Sequence, residues 1–282
     1  MDEQKDFDIL ERIHASYYQL TATERKVADY VLAQHAQVQF MSITQLADEC
    51  GTAEATISRF CRSLKLKGFN AFKIELARNS APVPHPGTHP VDTPAGRRQE
   101  IAHLAIDAVN QTIELVNPNL VQQAVELIEK APRVMCIGSG GSMILASECA
   151  HMFSTVTGKF QSISDSHMQM SAAATLEKDS IILLFSYSGA TTNGLQVLEV
   201  AKQRGIKTIL VTRFPKSPAA KLADVVLRCG SNEGPFQFGS VAAKIAQLVV
   251  VDVIFQEYFS RNRKVCEENI QSIASALSNM HV

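Results

Sequence analysis

Two short stretches of glycine and hydroxyl residues carry the most legible chemistry in this 282-residue sequence. Gly138-Ser139-Gly140-Gly141-Ser142 follows the apolar run Val134-Met135-Cys136-Ile137, and Ser186-Tyr187-Ser188-Gly189-Ala190-Thr191 follows the run from Ser180 to Phe185. Glycines let the backbone approach an anion, hydroxyls donate to it, and a helix opening beyond the loop adds free N–H groups and a favourable dipole. Three hydroxyls, at 186, 188 and 191, surround Gly189, a set of donors suited to a phosphate monoester. Candidate ligand-binding residues are therefore Gly140, Gly141 and Ser142 in the first loop and Ser186, Ser188, Gly189 and Thr191 in the second. A plainer reading stands beside this one: Ser and Thr commonly cap helices, and glycine turns commonly serve packing. Nucleotide binding is the weaker reading, because Met143 stands where a G-x-G-x-x-G motif needs its third glycine and no G-K-[ST] follows.

A second pattern lies nearer the N-terminus. Ser42-Ile-Thr-Gln-Leu-Ala-Asp-Glu-Cys-Gly51 reads as a short helix, with Ser42 and Gln45 in capping-box spacing and Gly51 as its stop. A tight turn separates it from a second helix over 53–66. Two helices so joined form a helix-turn-helix, whose second helix offers its N-terminal residues to base edges in the major groove. Glu54, Ala55, Thr56, Ser58 and Arg59 are the expected DNA contacts, while Ile57, Phe60 and Leu64 face inward by spacing. From Ile57 to Arg78 there are six basic residues, Arg62 and Lys67 among them, against the single acid Glu75. That excess concentrates phosphate attraction on and just after the second helix. The bland alternative is a helical bundle with a solvated basic face.

The elements that must hold these residues divide the chain in three. Residues 1–79 show period-3.6 apolar spacing and no strand pattern, which predicts an all-α helix-turn-helix domain. Residues 80–96 include five prolines and read as a linker. Residues 97–282 read as an α/β domain, with helix from Arg97 to Ala131 stopped by Pro132. Strands are expected at 134–137, 160–164, 180–185, 208–211 and 225–227, alternating with helices, and a long helix at 240–261. This alternation predicts a doubly wound parallel sheet with helices on both faces.

Composition narrows the function classes. A formal net charge of -1 rules out a general basic coating, so attraction to nucleic acid must be local. The six cysteines include no C-x-x-C pair and read as small buried hydrophobes in a reducing cytoplasm. The acidic residues 1–11 lack the apolar core of a signal peptide, and the greasiest stretch, 245–255, is too short for a bilayer. A cytoplasmic protein with no metal, no cofactor and no membrane partner is expected.

The stretch from Met41 to Lys73, above all Ala55-Thr-Ile-Ser-Arg-Phe-Cys-Arg-Ser-Leu64, resembles the winged-helix-type N-terminal domain of the RpiR/MurR family of bacterial sugar-metabolism regulators. That family usually has Ser where this chain has Ala53, so the helix cap must come from Thr52 or be weaker. The stretch from Val134 to Phe259 resembles a sugar isomerase (SIS) domain, whose Ser-x-Ser-Gly-x-Thr phosphate loop is present at 186–191, with Ser142 at the family's hydroxyl position in the first loop. The resemblance adds His167, in Asp165-Ser166-His167, as a ligand contact. It adds Lys244 as well, in Ala242-Ala-Lys-Ile-Ala-Gln-Leu248, where the family has Ser-Arg-Ile-Ala-Gln-Leu; Gln237 stands where an Arg is common. Losing an Arg fork to a Lys point charge changes the anion geometry that can be held, so ligand identity does not transfer directly.

The resemblance implies a DNA-binding regulator of sugar or amino-sugar metabolism that senses a phosphorylated sugar. Its partners would be a double-stranded DNA operator, the effector, and further copies of itself as a homodimer or homotetramer. The alternative is a sugar-phosphate isomerase, which needs a general acid or base. Glu148, His151, His167 and Glu233 are the titratable candidates, and none lies in a catalytic signature, so no catalytic residue is assigned. A third reading, a modulator of metabolic enzymes acting by protein contact, rests only on the apolar last helix.

Overall fold

The computed structural model describes residues 9–78, 93–231 and 240–278. The described chain falls into two compact units that divide between Glu100 and Ile101.

The first unit holds helices α1 (Ile9–Ser16), α2 (Ala22–Val38), α3 (Ile43–Glu49), α4 (Glu54–Ser63) and α5 (Phe69–Arg78), with a 3-10 turn at Tyr17–Gln19. Two capping boxes fix helix starts: Thr21 with Glu24 on α2, and the expected Ser42 with Gln45 on α3. Ile57, Phe60 and Leu64 are buried as their spacing requires, packed with Val27, Val31, Leu46 and Phe72. Phe60 meets Phe72 edge to face, their centroids 5.6 Å apart. The second helix of the motif is shorter than expected, 54–63 against 53–66. No strand occurs between residues 9 and 78, so no wing forms there.

Next along the chain are α6 (Pro94–Leu115), whose residues from Ile101 onward belong to the second unit, and α7 (Pro118–Lys130). The single helical stretch expected from 97 to 131 is thus two helices. Pro118 cannot donate into the preceding turn, and the Asn117 side chain accepts from the amides of Asn119 and Leu120, so a new helix starts there. Pro94 likewise opens α6, making the last three residues of the expected linker helical. Residues 79–92 of that linker lie outside the described residues.

Next come β1 (Val134–Gly138), α8 (Gly141–Ser154), β2 (Phe160–Ser162), α9 (Ser166–Thr175), β3 (Ile181–Phe185), α10 (Thr192–Arg204), β4 (Lys207–Thr212), β5 (Val225–Arg228), α11 (Val241–Arg261) and α12 (Arg263–Leu277). All five strands are parallel, in the order β2-β1-β3-β4-β5. Alternate residues of each strand serve opposite faces. Val134, Cys136, Ile181, Leu183 and Phe185 join a core with α7, α8 and α11, whereas Met135, Ile137, Ile182 and Leu184 join one with α9 and α10. Burial on both faces explains why β1 and β3 read as continuous apolar runs rather than as alternating ones.

The chain leaves β1 towards β2 on one side and enters β3 on the other, so the order reverses between β1 and β3. In open parallel sheets this is the crevice where ligands bind, at the carboxyl ends of the strands. Both glycine and hydroxyl loops leave from that point. Gly138 is in register with Phe185, which starts the loops at the same level on adjacent strands.

Candidate functional site

The first loop turns sharply from β1 into α8. A Cβ on Gly138 would lie 2.6 Å from the backbone oxygen of Ser142, so the turn closes only over glycine. Gly140 occupies the N-cap position with φ +56, no side chain caps the helix, and Gly141 and Ser142 form its first turn.

The second loop is held more tightly. Ser186 Oγ lies 2.9 Å from Thr191 Oγ1, and Ser188 Oγ accepts from the Ala190 amide at 3.3 Å. Ser186 is buried, whereas Ser188 and Thr191 are exposed. Thr191 is the N-cap of α10, yet its hydroxyl makes no capping hydrogen bond. Gly189 has φ +61 and is pressed against Ser217 and Thr212; a Cβ there would sit 2.0 Å from Ser217 Oγ. Thr212 Oγ1 and the Arg213 amide both donate to the Tyr187 carbonyl, and the Ala219 amide donates to that of Gly189. Tyr187 Oη and Arg213 Nε both donate to the Ser231 carbonyl, at 2.8 and 2.9 Å.

The helix starts differ in kind. α2, α3, α7, α9 and α11 each have a side chain accepting from their first-turn amides, the last through Ser240. α8 and α10, into which the two loops run, have none, and neither do α4 and α12. The plainer reading of the loop hydroxyls, that they cap helices, is therefore not what they do. They stand beside helix ends left without side-chain acceptors.

His167 lies in the first turn of α9, exposed, two residues after Asp165, which caps that helix by accepting from the Met168 amide. Lys244 is half-buried in the first turn of α11. Sequence reasoning passed over Gln169. This buried residue donates through Nε2 to the carbonyls of Gly138 at 2.9 Å and Ile163 at 2.7 Å, and accepts at Oε1 from Asn193 Nδ2 at 2.7 Å. A lone Gln inside Met168-Gln169-Met170 gives no sequence signal, since its role exists only once β1, β2 and α10 converge on it. Thr212 and Ser217, which seat Gly189, were equally silent.

Glu148 and His151 face each other at 3.6 Å on exposed positions of α8. They lie seven and ten residues beyond the helix start, so even Glu148 is about 10 Å along the axis from the loop. Gln237 and Glu233 fall outside the described residues. All six cysteines are buried free thiols. Burial pushes the Cys61 thiol up to about 12 and Cys50 to about 11, which keeps them as inert packing groups.

On α4, Ala55, Arg59 and Arg62 are exposed and Ser58 is half-buried. Their spacing of i, i+3, i+4 and i+7 makes one continuous outward face. Thr56 is a correction to the expected contacts. It is buried, because it shares the inward stripe with Phe60 four residues on, and its hydroxyl lies 3.3 Å from Arg59 Nη2. Glu54 accepts from Thr44 Oγ1 at 2.8 Å, bracing α4 against α3. Thr52 does not cap α4: Ala53 holds the N-cap position with no side-chain hydrogen bond, and the buried Thr52 hydroxyl has no partner. Lys67 is exposed just beyond α4. Across the helix pair, Glu24 accepts from the Thr21 amide and hydroxyl and from Ser63, tying α2 to the end of α4. Burial alone would raise the Glu24 pKa, but these hydrogen bonds and the Arg59 charge hold it below the usual value.

A helix-turn-helix with a basic outward face and a parallel sheet with paired loops at its switch point define a two-part regulator. Residues 7–82 match the helix-turn-helix domain of the rpiR family, and residues 127–256 match the SIS domain. The chain belongs to the HTH-type transcriptional regulators that combine these two domains. It is 34% identical to such a regulator of Caldanaerobacter subterraneus subsp. tengcongensis, over 88% of this chain and 89% of that protein. It is 28% identical to the regulator YbbH of Bacillus subtilis, over 96% of this chain and 97% of that protein. Among solved structures, the NanR protein of Vibrio vulnificus in complex with ManNAc-6P matches with a TM-score of 0.86 at 26% identity, covering 97% of this chain and 100% of that one. No helix among the described residues is long and apolar enough to cross a membrane.

Proposed function

We propose that this regulator binds a phosphorylated amino sugar in the cradle formed by Gly140, Gly141, Ser142, Ser186, Ser188, Gly189 and Thr191. The observation that carries this reading is the pair of helix starts, on α8 and α10, that lack side-chain caps at the β1/β3 switch point. Phosphate oxygens would accept from the first-turn amides and from the hydroxyls, whose donors are short and already placed. His167 and Lys244 would meet the remaining groups of the ligand. The amino-sugar class is supported by the ManNAc-6P bound to the similar NanR protein.

The protein binds this ligand without turnover, in the cytoplasm and as a homodimer or homotetramer. Of the titratable candidates for an isomerase, Glu148 and His151 pair with each other away from the loops, where neither is placed to serve as acid or base. Double-stranded operator DNA meets the outward face of α4, with Ala55, Ser58, Arg59 and Arg62 towards the groove, Thr52, Glu54 and Lys67 at its margins, and the ligand shifts the population that binds. Titrating labelled operator DNA with the protein, with and without ManNAc-6P, tests this reading. A change in operator affinity with no conversion of the sugar phosphate is expected; rapid aldose–ketose interconversion, or an affinity indifferent to the ligand, would overturn it.

A further inference from the structure

We propose that Gln169, held by Asn193, is the positioning residue that sets the spacing of the two phosphate loops and the placement of His167, and thereby selects among sugar phosphates. This deepens the phosphosugar reading above and rests on it.

The case begins with the convergence. Gln169 has two N–H donors and spends both on backbone carbonyls: Gly138, the last residue of β1, and Ile163, just past β2. Its carbonyl oxygen takes the Asn193 amide, from the first turn of α10 immediately after the 186–191 loop. The orientation of the amide is thereby fixed, since backbone carbonyls can only accept. Three loop systems that meet nowhere in sequence are thus joined through one side chain that is 2% exposed. Buried hydrogen bonds of this kind are costly to leave half made, so the network has one satisfied geometry.

Its consequences fall unequally on the site. The 186–191 loop has its own anchors in Thr212, Arg213, Ser217 and Ala219, so its grip on a phosphate does not depend on Gln169. The start of α9 has fewer ties: Asp165 caps it from within, and Gln169 is the residue that fastens its first turns to β1 and α10. His167 lies two residues before Gln169 and takes its position from it. Disturbing the network should therefore misplace the first loop and His167 relative to the second loop. The phosphate would still be held, while discrimination of the sugar would fail.

The test uses the full chain and calorimetric titration with ManNAc-6P, its glucosamine epimer GlcNAc-6P and inorganic phosphate. Three variants are compared with wild type: Gln169→Glu, Asn193→Ala and the double variant. Glu at 169 still accepts from Asn193 but, ionised, offers nothing to the two carbonyls. The better-bound sugar phosphate should weaken about tenfold or more in each single variant, and the ratio between the epimers should collapse towards unity. Binding of inorganic phosphate should stay within about threefold, and the double variant should lose less than the product of the single losses, since both act through one hydrogen-bond network. Should Gln169→Glu fail to fold, Asn193→Ala carries the same comparison from a half-buried position. Variants that fold with an unchanged epimer ratio, or that lose phosphate and sugar phosphate equally, would overturn the proposal. A wild-type protein that binds neither sugar phosphate would instead overturn the phosphosugar reading itself.

Discussion

α4 and α10 begin alike and end in different chemistry. Each starts at a residue whose side chain makes no capping hydrogen bond, Ala53 in one and Thr191 in the other. What surrounds those starts differs. α4 carries the exposed cations Arg59 and Arg62 and is followed by the exposed Lys65 and Lys67. Long charged arms suit a polyanion whose phosphates are spread along a surface and felt at range. α10 is entered through a rigid turn with one buried and two exposed hydroxyls, pinned from behind by Thr212, Ser217 and Ala219. Short fixed donors suit one small anion at contact distance. The same helix-end physics thus serves reach in one unit and close fit in the other, and the surrounding side chains decide which.

If close fit is what distinguishes α10, the largest effect should come from a single methyl group. Gly189→Ala forces a Cβ to within 2.0 Å of Ser217 Oγ at a φ of +61. Strain of a few kcal/mol is expected, enough for a loss of sugar-phosphate affinity of about 100-fold, with operator binding near wild type. Equal losses in both assays would mean that the units are not separable. If reach is what distinguishes α4, Arg59→Ala should weaken operator binding by about 1–3 kcal/mol, reduce its salt dependence, and leave calorimetric titration with ManNAc-6P unchanged.

A third comparison uses acid. Glu24 has its folded pKa lowered, so the stability it contributes is present above its ordinary value of 4.5 and is lost as the pH falls below that towards the folded value. Thermal melts from pH 6 to pH 3 should therefore show a steeper decline for wild type than for Glu24→Gln. Parallel declines would remove Glu24 from the link between α2 and α4. The smallest effect is expected from restoring a cap. Ala53→Ser should stabilise the helix-turn-helix unit by about 0.5–1 kcal/mol, read as a rise in its melting temperature; no rise would mean that the α4 start is already satisfied in solution.

Much of this contrast was legible in the sequence, and its limits are physical. The capping box at Ser42, the inward stripe of α4 and the strand-loop-helix order around 138 and 186 are local patterns, and local patterns survive folding. The break at Asn117-Pro118 was also local, but it was hidden by apolar periodicity running through it. Thr56 was misplaced because a small polar residue on an inward stripe looks, by type alone, like a contact. Gln169, Thr212 and Ser217 were invisible for a different reason: each acts across 24 to 31 residues of sequence on a neighbour that only the parallel sheet brings near.

The central claim, that the 186–191 turn grips a phosphate, is tested most directly by thermal unfolding of the full chain with ManNAc-6P and with unphosphorylated ManNAc, in wild type and in Gly189→Ala. At 100 times its dissociation constant the phosphorylated sugar should stabilise wild type by about 2.7 kcal/mol, the parent sugar should do nothing, and the Gly189→Ala protein should respond to neither. Stabilisation by the unphosphorylated sugar, or an undiminished response in Gly189→Ala, would contradict the account.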